Sequence, residues 1–269
     1  MMDNLNDKIK GIRKSIIEMV TAGKSGHPGG SLSAADLIGV LYFEEMDITP
    51  ENAGTTDRDR FVLSKGHASP LLYGVLKEKG ILKEDIETFR HIDSKLQGHP
   101  NMNYVAGVDM STGSLGQGIS AAVGMAMANQ LSKNSHRVYA LLGDGECEEG
   151  QVWEAAMAAA HYQLDNLCAI VDFNGLQIDG DIHEVMNPTP LDEKFAAFGW
   201  HVICIDGHDL DAIRKAYQEA KETKGQPTVI VAKTIKGKGV SFMENKAAWH
   251  GVAPTQEECD AAVKEIEEA

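Results

Sequence analysis

Five short apolar runs divide the chain and predict the strands of a sheet. Each is nearly continuous in apolar residues and is followed by glycine or polar residues, a pattern typical of a strand buried on both faces. The predicted strands are Phe61–Ser64, Val138–Leu142, Leu167–Val171, Trp200–Ile205 and Thr228–Thr234.

Between these runs, apolar residues recur at steps of three and four and predict helices. The second helix is expected to open at a capping box formed by Ser33 and Asp36. Strands that alternate with helices indicate an α/β fold in which a parallel sheet is covered by helices on both faces. No linker, repeat or low-complexity tract divides the sequence, so we expect a single domain over residues 1–269. The predicted helices are Leu5 to near Gly23, Ser33–Phe43, Leu71–Leu76, Gly116–Leu131, Glu149–Tyr162 and Asp209–Lys221.

Composition narrows the class of partner. With 25 Lys and Arg against 40 Asp and Glu, the formal net charge is -15. Proteins bind nucleic acid and anionic membranes through clustered basic residues, so we expect neither as the main partner. No run approaches the roughly 18 apolar residues of a membrane span, and no signal peptide is readable. The four cysteines form no C-x-x-C pair, which fits a reducing compartment, and we expect a cytoplasmic protein.

Two polar side chains follow consecutive predicted strands. Gly143-Asp144-Gly145 ends the second strand and Asn174 follows the third, with residues 146–173 leaving room for one helix. Such a unit makes the strands parallel and usually adjacent, so Asp144 and Asn174 should lie side by side where ligands bind in α/β sheets. They could give Mg²⁺ two oxygens, and Gly145 would let a backbone N–H approach a phosphate. Taken alone, Gly-Asp-Gly is also a common turn.

Histidine next to glycine recurs in four loops, at His27, His67, His99 and His250. Imidazoles there can donate hydrogen bonds to phosphate or hydroxyl oxygens and move protons near neutral pH. Each one alone is more often structural, and zinc is a weaker alternative because no helical His pair or Cys cluster accompanies them.

A basic loop follows the last predicted strand. Lys233 ends the strand and Lys236 and Lys238 follow it. Lys233 could hold an anion or simply be solvated, and the two loop lysines are weaker candidates because charge runs are usually solvated.

Several of these motifs, in this order, resemble those of transketolases, from about Lys8 to Pro254. Asp144 with Asn174 resembles the thiamine diphosphate motif of that family. The matching segments are Gly26–Gly30, Phe61–His67, Ser111–Gly118, Gly143–Gly150 and Trp249–Gly251.

The resemblance implies a thiamine diphosphate-binding fold and a role for each matching residue. Asp144, Asn174 and the carbonyl of Leu176 would bind Mg²⁺ or another divalent cation such as Ca²⁺ or Mn²⁺. Gly145, His67 and His250 would contact the diphosphate.

The same resemblance places Gly113, Ser114 and Leu115 beside the cofactor rings and, with less support, adds Lys233 to the cofactor site. His27, His99 and His250 would bind sugar hydroxyls and assist proton transfer. Glu149 resembles an acid at the dimer interface.

In transketolases a pyrimidine-binding domain and a third domain follow the matching region and supply the activating glutamate and the sugar-phosphate ligands, and we expect a separate polypeptide to supply them here. The resemblance therefore implies the N-terminal subunit of a split transketolase, which assembles with a C-terminal subunit into an α2β2 enzyme that acts on sugar phosphates. Two alternatives stay open. The chain could be half of another thiamine enzyme, resembling deoxyxylulose-phosphate synthase or a ketoacid dehydrogenase, or it could be a non-catalytic cofactor-binding subunit.

Overall fold

A five-stranded parallel sheet forms the centre of the fold in this computed structural model, which describes residues 2–269 and the side chains from residue 5 onward. The strand order is β1-β2-β3-β5-β4, and all four strand pairs are parallel. The five predicted strands are confirmed, with ends that differ by a residue or two. Their bounds are β1 Arg60–Leu63, β2 Val138–Gly143, β3 Leu167–Phe173, β4 His201–Asp206 and β5 Thr228–Lys233.

Helices cover both faces of the sheet, as predicted. Alternate strand residues enter two separate apolar cores, as the period of two requires. One core contains α1, α3, α4, α9 and α10, and the other contains α5, α6 and α8. The helices are α1 Met2–Ala22, α2 Pro28–Leu32, α3 Ala35–Val40, α4 Ser69–Glu78, α5 Gln117–Leu131, α6 Gly150–His161, α7 Ile182–Val185, α8 Leu191–Ala197, α9 Leu210–Glu222 and α10 Gln256–Glu268.

The strand register brings the polar strand ends to one edge. Gly143 of β2 lies opposite Asp172 of β3, and Phe173 of β3 lies opposite Lys233 of β5. Asp144 and Asn174 therefore leave neighbouring strands at the same level of the sheet. The loop after β1 begins near this level too, because Leu63, the last residue of β1, pairs with Leu141.

The predicted capping box at Ser33 and Asp36 is wrong. The chain is already helical from Pro28, and the residue that precedes α3 is Ala34, which has no side-chain cap. The Ser33 hydroxyl donates to Asp172 at 2.6 Å, and Asp36 pairs with Arg13. Both side chains are buried, so charged tertiary partners replace the local cap.

Helices α7 and α8 lie where sequence periodicity gave no prediction. The irregular stretch after Asn174 contains the single turn α7, and α8 follows it. The acidic C-terminal segment forms α10, whose Cys259, Ala262 and Ile266 are buried while most of its carboxylates face outward. None of the helices described between residues 2 and 269 is both long and apolar enough to cross a membrane.

Candidate functional site

A cavity of about 220 Å³ opens at the carboxyl ends of β1, β2 and β3. We call it the central cavity. It lies where open α/β sheets bind ligands. Its lining residues are His27, Gly30, Lys65, His67, Gly113, Leu115, Gly143, Asp144, Gly145, Glu146, Asn174, Leu176, Gln177, Ile178, Lys236 and His250.

The three predicted metal ligands all line this cavity. Asp144 accepts hydrogen bonds from the amides of Gly145, at 2.9 Å, and Gly175, at 2.6 Å. The Asn174 side-chain oxygen accepts from the Leu176 amide at 3.1 Å. These bonds fix a carboxylate, an amide oxygen and a backbone carbonyl on two adjacent turns. No group of three His, Cys, Asp or Glu side chains suited to a metal occurs in the described residues, so any cation here would need amide and carbonyl oxygens in addition to the Asp144 carboxylate.

The Asp144 carboxyl is held in an unfavourable setting for its charge. Burial, followed by the nearby Asp172 carboxylate, raises the pKa of Asp144 to about 6. The hydrogen bonds from Gly175 and Gly145 act in the opposite direction. A cation that contacts this carboxylate would relieve both the desolvation and the repulsion.

Asp172 lies beneath these turns, and no sequence motif pointed to it. It accepts hydrogen bonds from Ser33, Lys65 and Thr234, and Asn174 donates to it at 3.4 Å. Burial alone would raise the pKa of Asp172, but Lys65 and the hydroxyl donors hold it below its usual value. Four chain segments are thereby joined at one carboxylate.

Three imidazoles form a compact triangle on the other side of the cavity. The ring centroids of His27, His67 and His250 are 5.1 to 5.4 Å apart. Burial and neighbouring cations lower the pKa of His27 to about 4 and that of His250 to about 3, and they lower the pKa of His67 well below its ordinary value. All three rings are therefore neutral at pH 7, and each can both donate and accept a hydrogen bond.

The lysine at this wall is Lys236 rather than Lys233. The side chain of Lys233 points into solvent and does not line the cavity, whereas Lys236 is 2% exposed. The Lys236 ammonium lies 3.1 Å from the Leu176 carbonyl and 2.9 Å from His250 Nδ1. Burial, followed by repulsion from Lys65, lowers its pKa to about 8. Of these two lysines, the structure therefore places only Lys236 at the cavity wall.

The remaining predicted residues divide into three groups. Gly113 and Leu115 line the central cavity. His99 lines an adjacent cavity beside Arg90, and a Cβ at Gly113 would lie 2.9 Å from its ring. Ser114 and Glu149 are exposed and line neither cavity.

Two further lining residues escaped the sequence analysis. Lys65 is buried against Asp172 at 2.5 Å. Glu146 accepts hydrogen bonds from Ser64 at 2.5 Å and from the Gly116 and Gly143 amides at 2.9 and 3.1 Å. The available signal was position, because Lys65 and Glu146 lie two and three residues after strands whose ends meet at this edge.

The donor set fits a divalent cation together with a polyanion. Hard oxygen ligands on the β2 and β3 turns face two lysines and three neutral imidazoles, and Gly30 and Gly145 leave the space that side chains would fill. His27 Nδ1 is buried with no partner among the described residues, so it is available to a ligand. Fold and site define an α/β protein with a ligand cavity at the carboxyl edge of its sheet, lined by oxygen ligands, lysines and imidazoles.

Residues 5–267 match the family model for the transketolase thiamine diphosphate binding domain. The chain belongs to this family. It is 48% identical over 257 residues to the 6-deoxy-6-sulfo-D-fructose transketolase subunit SqwG of Clostridium sp. (strain MSTE9), covering 95% of this chain and 94% of that one. It is 42% identical to an apulose-4-phosphate transketolase subunit of Phocaeicola vulgatus, covering 95% of this chain and 91% of that one.

Full-length transketolases extend well beyond this chain. Human transketolase is 44% identical over 97% of this chain, and the match covers 42% of the human protein. The crystal structure of Campylobacter jejuni transketolase superposes with a TM-score of 0.92 at 36% identity, covering 98% of this chain and 43% of that one. The Pichia stipitis enzyme in complex with sedoheptulose-7-phosphate gives a TM-score of 0.87 at 31% identity, covering 98% of this chain and 44% of that one. These matches favour transketolase over the alternative thiamine enzymes.

Proposed function

We propose that this chain is the N-terminal subunit of a transketolase, which transfers a two-carbon ketol unit from a ketose to an aldose. The central cavity is the observation that carries the proposal, because it brings Asp144, Asn174 and the Leu176 carbonyl together with lysines and imidazoles. The coverage of relatives supports a split enzyme. The chain spans most of two transketolase subunits but less than half of the human enzyme.

In this proposal the whole chain acts as one diphosphate-binding domain. Asp144, Asn174 and Leu176 hold Mg²⁺, or Ca²⁺ or Mn²⁺ in its place, since all three cations favour oxygen ligands. The Gly145 amide, His67 and His250 contact the diphosphate. Lys236 takes the role first expected of Lys233.

The other predicted residues act beside the diphosphate. Gly113 and Leu115 border the cofactor rings, and Ser114 stays assigned to the same loop. Thiamine diphosphate, when bound, supplies the nucleophilic carbon and the electron sink for ketol transfer.

The neutral histidines suit proton movement near that carbon. His27 Nδ1 lacks a partner within the described residues, so His27 can bind or deprotonate a substrate hydroxyl. His250 and, from the adjacent cavity, His99 complete the group that binds sugar hydroxyls. Exposed Glu149 lies at the start of α6, where it is free to meet a second copy of the chain.

A partner polypeptide must complete the enzyme. In this proposal it supplies the carboxylate that activates the cofactor and the groups that bind the sugar phosphate, and two copies of each chain assemble in the cytoplasm. The sugars in the names of the two subunit relatives are both anionic, since one bears a sulfo group and the other a phosphate group. We therefore propose an anionic ketose as donor, as in pentose phosphate metabolism.

A cofactor titration with a matched pair of lysine variants tests the site. Thiamine diphosphate with Mg²⁺ is titrated into the complex of the chain with its partner. We expect Lys236→Met to weaken binding at least tenfold, and Lys233→Met, in the same segment but exposed, to leave it unchanged. Asp144→Ala should abolish the dependence of binding on metal. Equal effects of the two lysine variants would contradict the assignment.

Activity separates the reaction classes. The assembled complex should transfer ketol groups between sugars, and the chain alone should not. Full activity of the chain alone would refute the split enzyme. Activity on 2-oxoacids without activity on ketoses would refute ketol transfer.

A further inference from the structure

We propose that Asp36 is a positioning residue for Lys236, although it lies behind the central cavity and does not line it. Asp36 anchors the segment 235–238 on both sides of Lys236, through His208 on one side and Arg13 on the other. The inference rests on the proposed function only in that Lys236 faces the cofactor.

Two hydrogen-bonded arms run from the Asp36 carboxylate to this segment. Arg13 Nη2 donates to Asp36 Oδ2 at 2.6 Å, and Arg13 Nε donates to the Lys238 carbonyl at 3.3 Å. His208 Nδ1 lies 2.7 Å from the same Asp36 oxygen, and His208 Nε2 accepts the Ile235 amide at 2.9 Å. The arms reach the backbone one residue before and two residues after Lys236.

The charge of Asp36 sets the state of both arms. Because His208 Nε2 accepts an amide hydrogen, its ring proton is on Nδ1 and points to Asp36. Arg13 requires an anionic acceptor for a strong, charge-assisted bond. An asparagine at position 36 can place its one oxygen where Oδ2 lies, but that oxygen carries no charge, so the bonds from Arg13 and His208 are both weakened.

The Lys236 side chain is tightly enclosed, so a shift of its backbone would displace its ammonium. A Cβ at Gly29 would lie 3.1 Å from the Lys236 side chain, and the Lys236 ammonium bridges the Leu176 carbonyl and His250. The Gly237 amide also donates to the Gly29 carbonyl at 3.0 Å, so the segment has an anchor besides Asp36. Loss of the Asp36 arms should therefore loosen the segment without unfolding it.

Asp109 offers a matched control for the general effect of removing a buried carboxylate. It is 5% exposed, against 7% for Asp36, and accepts hydrogen bonds from Arg58 and the Phe61 amide at the amino end of β1. That end of the sheet lies away from the central cavity. Asp36→Asn and Asp109→Asn should both lower the unfolding midpoint, but only Asp36→Asn should act on Lys236.

The test combines amide exchange with a double-mutant cycle. In the full chain, Asp36→Asn should speed hydrogen exchange at residues 235–238 at least tenfold, and Asp109→Asn should not. In the complex with the partner, Asp36→Asn should weaken binding of thiamine diphosphate with Mg²⁺ about tenfold. It should add less than twofold when Lys236 is already methionine.

Either measurement can overturn the inference. Unchanged exchange at 235–238, or an undiminished effect of Asp36→Asn in the Lys236→Met background, refutes it. If Asp36→Asn fails to fold, His208→Ala, which breaks only the arm to Ile235, must give the same pattern on a smaller scale. If the unmodified complex does not bind thiamine diphosphate, the proposed function fails, while the exchange measurement still decides the role of Asp36.

Discussion

Replacing Asp172 by asparagine should destabilise the chain far more than a typical surface substitution. The side chains of Asp172 and Lys65 are 0% and 2% exposed, and their charged atoms are 2.5 Å apart. Removing one partner of a buried ion pair costs about 3 to 5 kcal/mol, because the remaining charge is buried without compensation. Asparagine keeps the shape and one acceptor for Ser33 or Thr234, so we expect the lower end, about 3 kcal/mol.

A double-mutant cycle isolates the charge from the shape. Lys65→Met removes the ammonium but keeps an unbranched apolar stem, so Asp172→Asn with Lys65→Met leaves no buried charge at the pair. We expect the double variant to regain about 2 kcal/mol relative to Asp172→Asn. Urea unfolding of the chain, followed by circular dichroism, measures each free energy. A loss below about 1 kcal/mol for Asp172→Asn, or no recovery on adding Lys65→Met, would refute the reasoning.

Two further predictions concern close backbone packing and pH. A Cβ at Gly66 would lie 2.6 Å from the backbone nitrogen of Gly113, whereas a Cβ at the exposed Gly54 would meet nothing within 4 Å. Gly66→Ala should therefore lower the unfolding midpoint and weaken cofactor binding while Gly54→Ala changes neither, and equal effects would contradict the predicted contact. The pKa values of His27 and His250 are lowered to about 4 and 3 in the folded chain, whereas histidines in the unfolded chain have pKa values near 6.5. Below about pH 6.5 the unfolded chain therefore binds more protons than the folded chain. Stability should thus fall as pH falls from about 7 to 4, and less steeply for His27→Gln with His250→Gln. Parallel pH profiles of urea midpoints would count against the lowered pKa values.

The predicted pairing of Asp144 and Asn174 followed from local rules. Each residue ends an apolar run, and a strand, helix and strand unit leaves its two strand ends at one edge of the sheet. The register of β2 and β3 confirms that placement. The histidine loops were recognised in the sequence because each sets a histidine beside a glycine. The approach of three of their rings to centroid separations near 5 Å depends on how distant parts of the chain pack together.

The two lysines show what the sequence pattern could not decide. Lys233 and Lys236 are only three residues apart in one basic segment, and the usual solvation of charge runs favoured neither loop lysine. The structure turns the segment after β5 inward, bonding the Gly237 amide to the Gly29 carbonyl, so Lys236 is buried while Lys233 points outward. That turn depends on contacts across the fold.

The sequence by itself determined the order of strands and helices, the parallel sheet and the chemical types at its carboxyl edge. Periodicity and turn residues are local, and an apolar strand has few ways to be buried. Only the tertiary structure decided that Ser33 bonds to Asp172 rather than capping a helix, and that Asp36 supports a segment far along the chain. A buried polar side chain takes whichever partner compensates its desolvation best, and that partner is set by packing between distant segments.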